Sequence, residues 1–227
     1  MQHVQRPDCF LTFLADMDNP ILWYVADPMC SWCWGFAPVI EKIRKEYSAF
    51  LTMQLMLGGL RPGTKAPLSP DKRAQILHHW QAVHATTGQP FKFDNALQDN
   101  LIYDTEPASR AVVSIAIIEP TLVFPFFASI QRAFYVEQAD VTQLNVLKKL
   151  AVDLNVSESQ FIQIFESDTA KQQTLNNFRR AAQWGISGFP TLIIESGSDY
   201  HLITMGFRPI EALRPQLDTW LRHNRSL

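Results

Sequence analysis

Cysteine is scarce in this chain, with three in 227 residues. That is too few for a disulfide-stapled secreted scaffold. A chain of this length buries enough core to do without such staples. Long apolar runs are missing too. No stretch offers about 18 uninterrupted apolar residues, so no membrane-spanning helix is predicted. Charge of one sign is not in excess: 20 basic and 22 acidic residues leave a net charge of −2. That balance argues against a polybasic nucleic-acid surface and against a charged interaction tail. The chain shows no internal repeat and no low-complexity linker.

The first twenty residues, MQHVQRPDCFLTFLADMDNP, lack the basic start and sustained apolar run of a secretory signal. The cytoplasm is therefore the expected compartment, where structural disulfides are rare. The composition, 47% apolar and 19% charged, fits a globular protein and not a disordered one.

Runs of β-branched and aromatic residues predict four strands: Ile21 to Ala26, Leu51 to Leu57, Thr191 to Glu195 and Tyr200 to Met205. The SGSD segment between the last two predicts a hairpin. A helix is expected to enter near Cys30, with Phe36, Ile40, Ile43 and Tyr47 on one face and a kink or broken turn at Pro38. From Pro62 to Ala182 the pattern is helical. Ser69 and Pro70 form a start signal, Thr105 is a candidate cap, and Asp140/Gln143 and Ser157/Gln160 have capping-box spacing. A last helix starts near Pro209, with a bend at Pro215.

The expected architecture is α/β. A strand–helix–strand unit makes a parallel pair, the hairpin extends its sheet, and the first and last helices cover it. The helical block is too long for a loop, so residues 62–182 are expected to form a subdomain inserted between the second and third strands.

Cys30 and Cys33 stand three positions apart, directly after a strand and at a helix start. Unpaired backbone N–H groups and the positive end of the helix dipole favour a thiolate there. Cys30 is thus the predicted nucleophile, and Cys33, one turn later, the resolving thiol. Zinc is the rival reading. It needs about four ligands, which Cys9 and a histidine such as His3 would have to complete. Redox chemistry is preferred and no metal is expected. His78, His79 and His84 lack metal-ligand spacing and read as surface or packing residues. Phe91, Phe93, Phe124, Phe126 and Phe127 read as core of the helical block.

The segments DPMCSWCWGF (27–36) and GISGFPT (185–191) resemble the DsbA-like branch of the thioredoxin superfamily. The first is also similar to the FrnE-like disulfide isomerases, and lies near the glutathione transferase kappa and 2-hydroxychromene-2-carboxylate isomerase group. The latter usually carry serine where this chain has Cys30, which favours redox chemistry here.

The resemblance implies a thioredoxin fold over residues 1–61 and 183–227, interrupted by the helical subdomain. It implies that Pro190 is the cis-proline facing the dithiol. It also implies thiol–disulfide oxidoreductase or isomerase activity on a polypeptide, without a cofactor but with glutathione as a candidate redox partner. A glutathione-dependent transferase or isomerase, and a peptide-binding chaperone-like module, are the alternatives. Phe189 would offer a backbone edge to an extended substrate. Trp32, beside Ser31, would supply an apolar platform, with Trp34 and Phe36 assigned to the core. Arg61 follows Gly58 and Gly59 at the carboxyl end of a parallel strand, where ligand sites collect, and could hold a carboxylate.

Two departures stand out. Ser31 and Trp32 occupy the positions between the cysteines, where strongly oxidising relatives carry a histidine. Tyr24 stands where thioredoxin-type proteins often bury a carboxylate, so the proton acceptor for Cys33 is open. Asp27 reads as a turn initiator.

Overall fold

The computed structural model describes residues 19–224. The expectations for Cys9 and His3 lie outside that range. Strand β1 (Ile21–Ala26) leads into helix α1 (Ser31–Tyr47), which returns to strand β2 (Thr52–Leu57). Six helices follow: α2 (Pro70–Thr87), α3 (Glu106–Ile118), α4 (Val123–Tyr135), α5 (Leu144–Asp153), α6 (Glu158–Glu166) and α7 (Asp168–Gln183). The chain then forms strands β3 (Thr191–Ser196) and β4 (Asp199–Met205) and helix α8 (Ile210–Asn224).

The sheet order is β2-β1-β3-β4. β1 and β2 are parallel, as a helical crossover requires. β3 is antiparallel to β1 and forms the hairpin with β4, with an irregularity at Leu192/Ile193. β1 is central, and five of its six residues are buried, so it reads as a continuous apolar run. β2 lies at an edge and alternates between exposed and half-buried residues until Met56.

The two faces of the sheet are covered differently. Leu22, Tyr24, Leu192 and Ile194 join Phe36, Ile40 and Ile43 of α1 and Leu213 and Leu217 of α8 in one core. The same core continues without a break into the helical block through Trp80, Val112, Phe126, Ile130 and Phe161. On the opposite face, Trp23, Val25, Met56 and Ile193 pack with Ala181 of α7. The last helix of the block thus serves the sheet directly. Burying each large apolar side chain contributes roughly 1.5–3 kcal/mol.

Pro38 does not break α1, which is assigned as helix from Ser31 through Tyr47. A proline at 38 leaves the Trp34 carbonyl without its helical donor. Gln89 supplies one from outside: its Nε2 donates to the Trp34 carbonyl at 2.8 Å. The Trp34 indole in turn donates to the Pro90 carbonyl at 2.9 Å. The segment after α2 thereby repairs the helix that carries the cysteines.

Ser69 caps α2, accepting from Lys72 N, with Pro70 in the first turn. The other expected caps are corrected. Thr105 precedes α3, but its side chain makes no cap bond; Asp104 Oδ1 accepts from Glu106 N instead. Asp140 accepts from Thr142 N and Oγ1, a local turn, while Gln143 is the residue before α5. Ser157 precedes α6 and meets Ser159, with no capping bond. Short polar side chains have local and tertiary alternatives to a cap, and here those alternatives win.

Candidate active site

Cys30 is the N-cap residue of α1, in extended conformation (φ −88°, ψ 116°). Its N–H donates to the Asp27 carbonyl, and its own carbonyl accepts from Trp34 N. This places the Cys30 sulfur at the N-terminus of a 17-residue helix. Cys33 follows one turn later and is fully buried, whereas Cys30 keeps 6% of its surface exposed. Both cysteines are free thiols.

The Phe189–Pro190 peptide bond is cis. The Cys30 thiol faces this loop, with Sγ 3.7 Å from the Phe189 carbonyl oxygen. The Phe189 ring rests on Gly58: a Cβ there would fall 2.0 Å from Phe189 Cε1. Gly59 has φ +72° and meets the Phe178 ring in the same way. The glycine pair at the end of β2 is therefore required by two close approaches, which a strand terminus alone would not need.

These parts surround a cleft of about 560 Å³. The structure brings Cys30, Ser31, Trp32, Arg61 and Phe189 together along its wall. Cys33 and Pro190 are buried and do not line it. Trp32 is half-buried and meets Phe207 at 5.8 Å between ring centres. Trp34 and Phe36 belong to the core, Trp34 stacking on Tyr135. Arg61 lies over the Tyr103 ring at 5.5 Å. His79 is exposed, as expected of a surface residue, and it also lines the cleft. Tyr103 carried no local signal in the sequence, yet it lines the cleft and donates to the Met29 carbonyl.

Electrostatics separate the two thiols. Burial pushes the Cys33 thiol well above its ordinary range; the neighbouring Cys30 and the charge of Asp27 add to this, and the Asp27 backbone works against it. Tyr24 does not replace the missing carboxylate as a proton acceptor. Burial raises its pKa, so it stays protonated, and its hydroxyl donates to the Cys33 carbonyl at 3.4 Å.

Asp27 is the buried acid of the site. Its Oδ1 accepts from Met29 N at 2.9 Å and its Oδ2 from Leu60 N at 2.8 Å. Burial raises its pKa from 3.8 to about 6, against the lowering effect of those two N–H groups and the Thr105 hydroxyl. Among the described residues, no group of three or more His, Cys, Asp or Glu side chains could hold a metal ion.

A fold with this cleft invites comparison with known proteins. The model of the DSBA-like thioredoxin domain matches residues 22–218. The chain belongs to that family. The crystal structure of a candidate protein disulfide isomerase from Nitrosomonas europaea is 67% identical, with a TM-score of 0.88 over 92% of this chain and 100% of that one. The cytosolic disulfide reductase DsbM of Pseudomonas aeruginosa is 26% identical, with a TM-score of 0.74 over 89% of this chain and 99% of that one. DsbM has also been solved with glutathione. Among curated proteins, the ClpXP adapter SpxH of Bacillus subtilis is 21% identical over 173 residues, 75% of this chain and 56% of SpxH. The chain thus spans about half the length of that relative. No helix among the described residues of this DSBA-like chain is long and apolar enough to cross a membrane.

Proposed function

We propose that this chain is a thiol–disulfide oxidoreductase in which Cys30 attacks and Cys33 resolves. The observation that carries the reading is the placement of the two thiols. Cys30 sits at a helix N-terminus on the cleft wall, 3.7 Å from the Phe189 carbonyl, while Cys33 is sealed beneath it.

The Cys30 thiolate attacks one sulfur of a substrate disulfide. A mixed disulfide forms, and the other substrate sulfur leaves as a thiolate that takes up a proton. Cys33 then loses its proton and attacks the Cys30 sulfur. The Cys30–Cys33 disulfide forms and the second substrate thiolate departs. The substrate has gained two electrons and the dithiol has lost two; run in reverse, the same steps oxidise a dithiol substrate. Burial keeps Cys33 protonated before attack, which orders the two thiols.

Phe189 and Trp32 offer a backbone edge and an apolar wall to an extended polypeptide. Arg61 and His79 supply cationic or hydrogen-bonding groups for a carboxylate, and glutathione is the proposed small redox partner. The Nitrosomonas and Pseudomonas relatives support disulfide chemistry, and the cytosolic Pseudomonas reductase, solved with glutathione, supports a glutathione partner and a cytoplasmic location. The inserted stretch 62–182 contributes Ile76, His79, Tyr103 and Phe178 to the cleft.

The test is turnover of glutathione disulfide and of insulin by wild type, Cys30→Ser and Cys33→Ser. Cys30→Ser is expected to be inactive, and Cys33→Ser to accumulate mixed disulfides. Full turnover by Cys30→Ser would remove Cys30 as the nucleophile, and wild type that binds glutathione or peptide without any disulfide turnover would leave a non-redox transferase or a binding module in its place.

A further inference from the structure

Asp27 lies three residues before the nucleophile, yet its hydrogen bonds reach much further along the chain. One carboxylate oxygen holds the N–H of Met29, the residue before Cys30. The other holds the N–H of Leu60, the residue before Arg61. The Thr105 hydroxyl also bonds to this carboxylate. That hydroxyl accepts in turn from Arg61 N at 3.1 Å, and Thr105 N donates back to the Arg61 carbonyl at 3.4 Å. Three loops, from β1–α1, β2–α2 and the start of α3, therefore converge on one fully buried side chain. A turn initiator needs only the Met29 bond. The bonds to Leu60 and Thr105 call for a different account.

We infer that Asp27 is a positioning residue that fixes the loop bearing Cys30 against the loop bearing Arg61. The inference rests on the dithiol chemistry proposed above and on Arg61 as the carboxylate holder. A disulfide whose ends carry carboxylates must meet the sulfur and the guanidinium together. A small uncharged disulfide needs only the sulfur. The clasp therefore sets the preference for the charged substrate by holding the two recognition points at a constant spacing.

The substitution Asp27→Asn keeps the side-chain shape but turns one oxygen into a donor. It then faces an N–H with an N–H, and one lip of the cleft is released. The experiment compares glutathione disulfide with hydroxyethyl disulfide across wild type, Asp27→Asn, Arg61→Ala and the double variant. Asp27→Asn is expected to raise KM for glutathione disulfide about tenfold and to change KM for hydroxyethyl disulfide little. In the Arg61→Ala background, Asp27→Asn should add no further rise, because the residue it positions is gone. A merely structural aspartate would lower the active fraction, and hence kcat, for both substrates alike with KM unmoved. Equal effects on both KM values, or full additivity with Arg61→Ala, overturn the inference. Thr105→Val tests the same link without touching the acid, should Asp27→Asn fail to fold. It is expected to raise KM for glutathione disulfide selectively, and an unchanged value overturns the inference. Cys30→Ser runs alongside: persistence of its turnover defeats the dithiol reading, whereas loss of its turnover with no selective KM effect defeats only the role of Asp27.

Discussion

The Cys30 thiol and the Phe189 carbonyl oxygen lie 3.7 Å apart, joining the start of α1 to the loop before β3. The antiparallel β1–β3 pair makes this meeting possible, because it brings the end of β1 and the start of β3 to one end of the sheet. Cys33 takes no part in the contact. It faces Tyr24 and the core.

The two thiols should therefore differ in reactivity. In the reduced, folded protein at neutral pH, iodoacetamide is expected to modify Cys30 at least about tenfold faster than Cys33, which is buried and held protonated. Peptide mapping after timed alkylation measures the ratio. Equal rates would remove the proposed order of attack. In unfolded protein the difference should largely vanish.

Gly58→Ala tests the wall that carries Phe189. The new methyl would sit 2.0 and 2.2 Å from two ring carbons of Phe189, so the half-buried ring has to shift within the cleft wall to admit it. The expected cost is about 1–3 kcal/mol in denaturant unfolding. Disulfide turnover should fall as well, because the displaced residue is the one whose carbonyl faces Cys30. A stable and fully active variant would show that this close approach matters little.

Much of the architecture was legible because it rests on local patterns. Ile21–Ala26 and Thr191–Ser196 are β-branched and aromatic runs, and α1 shows its apolar face in Phe36, Ile40 and Ile43. CSWC at a helix start was enough to name the dithiol, and its facing loop followed from the resemblance of GISGFPT to the cis-proline loop of the DsbA-like branch. What escaped depends on partners distant in sequence. Asp27 looks like a turn residue until Leu60 and Thr105 are seen beside it. Thr105 has the composition of a cap, yet Arg61 N occupies its oxygen. Pro38 predicts a break, but Gln89 supplies the missing donor from another element. Gly58 and Gly59 look like a strand end because nothing local announces the rings of Phe189 and Phe178.

The repair at Pro38 can be measured by a double-mutant cycle. Gln89→Ala removes the donor to the Trp34 carbonyl and leaves a partly buried acceptor unpaired, at a cost of about 1–3 kcal/mol. Pro38→Ala restores a backbone N–H that can serve that carbonyl in the ordinary helical way. In the Pro38→Ala background, Gln89→Ala should then cost clearly less. Purely additive effects would mean that Gln89 acts through other contacts.

Asp27 also predicts how stability responds to pH. Its pKa is raised on folding, from 3.8 to about 6, chiefly by burial. A raised acid binds its proton more tightly in the folded state than in the unfolded chain. Its contribution to stability is therefore fully present below pH 3.8 and is lost as pH rises through about 6. Each pKa unit corresponds to about 1.4 kcal/mol, so the loss across this window is about 3 kcal/mol. Other carboxylates titrate in the same range, and the wild type alone cannot isolate this one. Asn at 27 carries no titrating proton. The stability of wild type minus Asp27→Asn, from urea unfolding between pH 3.5 and 7, should therefore fall with rising pH and level off above the folded pKa. A difference that stays flat would mean that the carboxyl ionises as freely in the folded protein as in the unfolded chain. A difference that rises with pH would mean that the N–H groups of Met29 and Leu60 outweigh burial and favour the charged form.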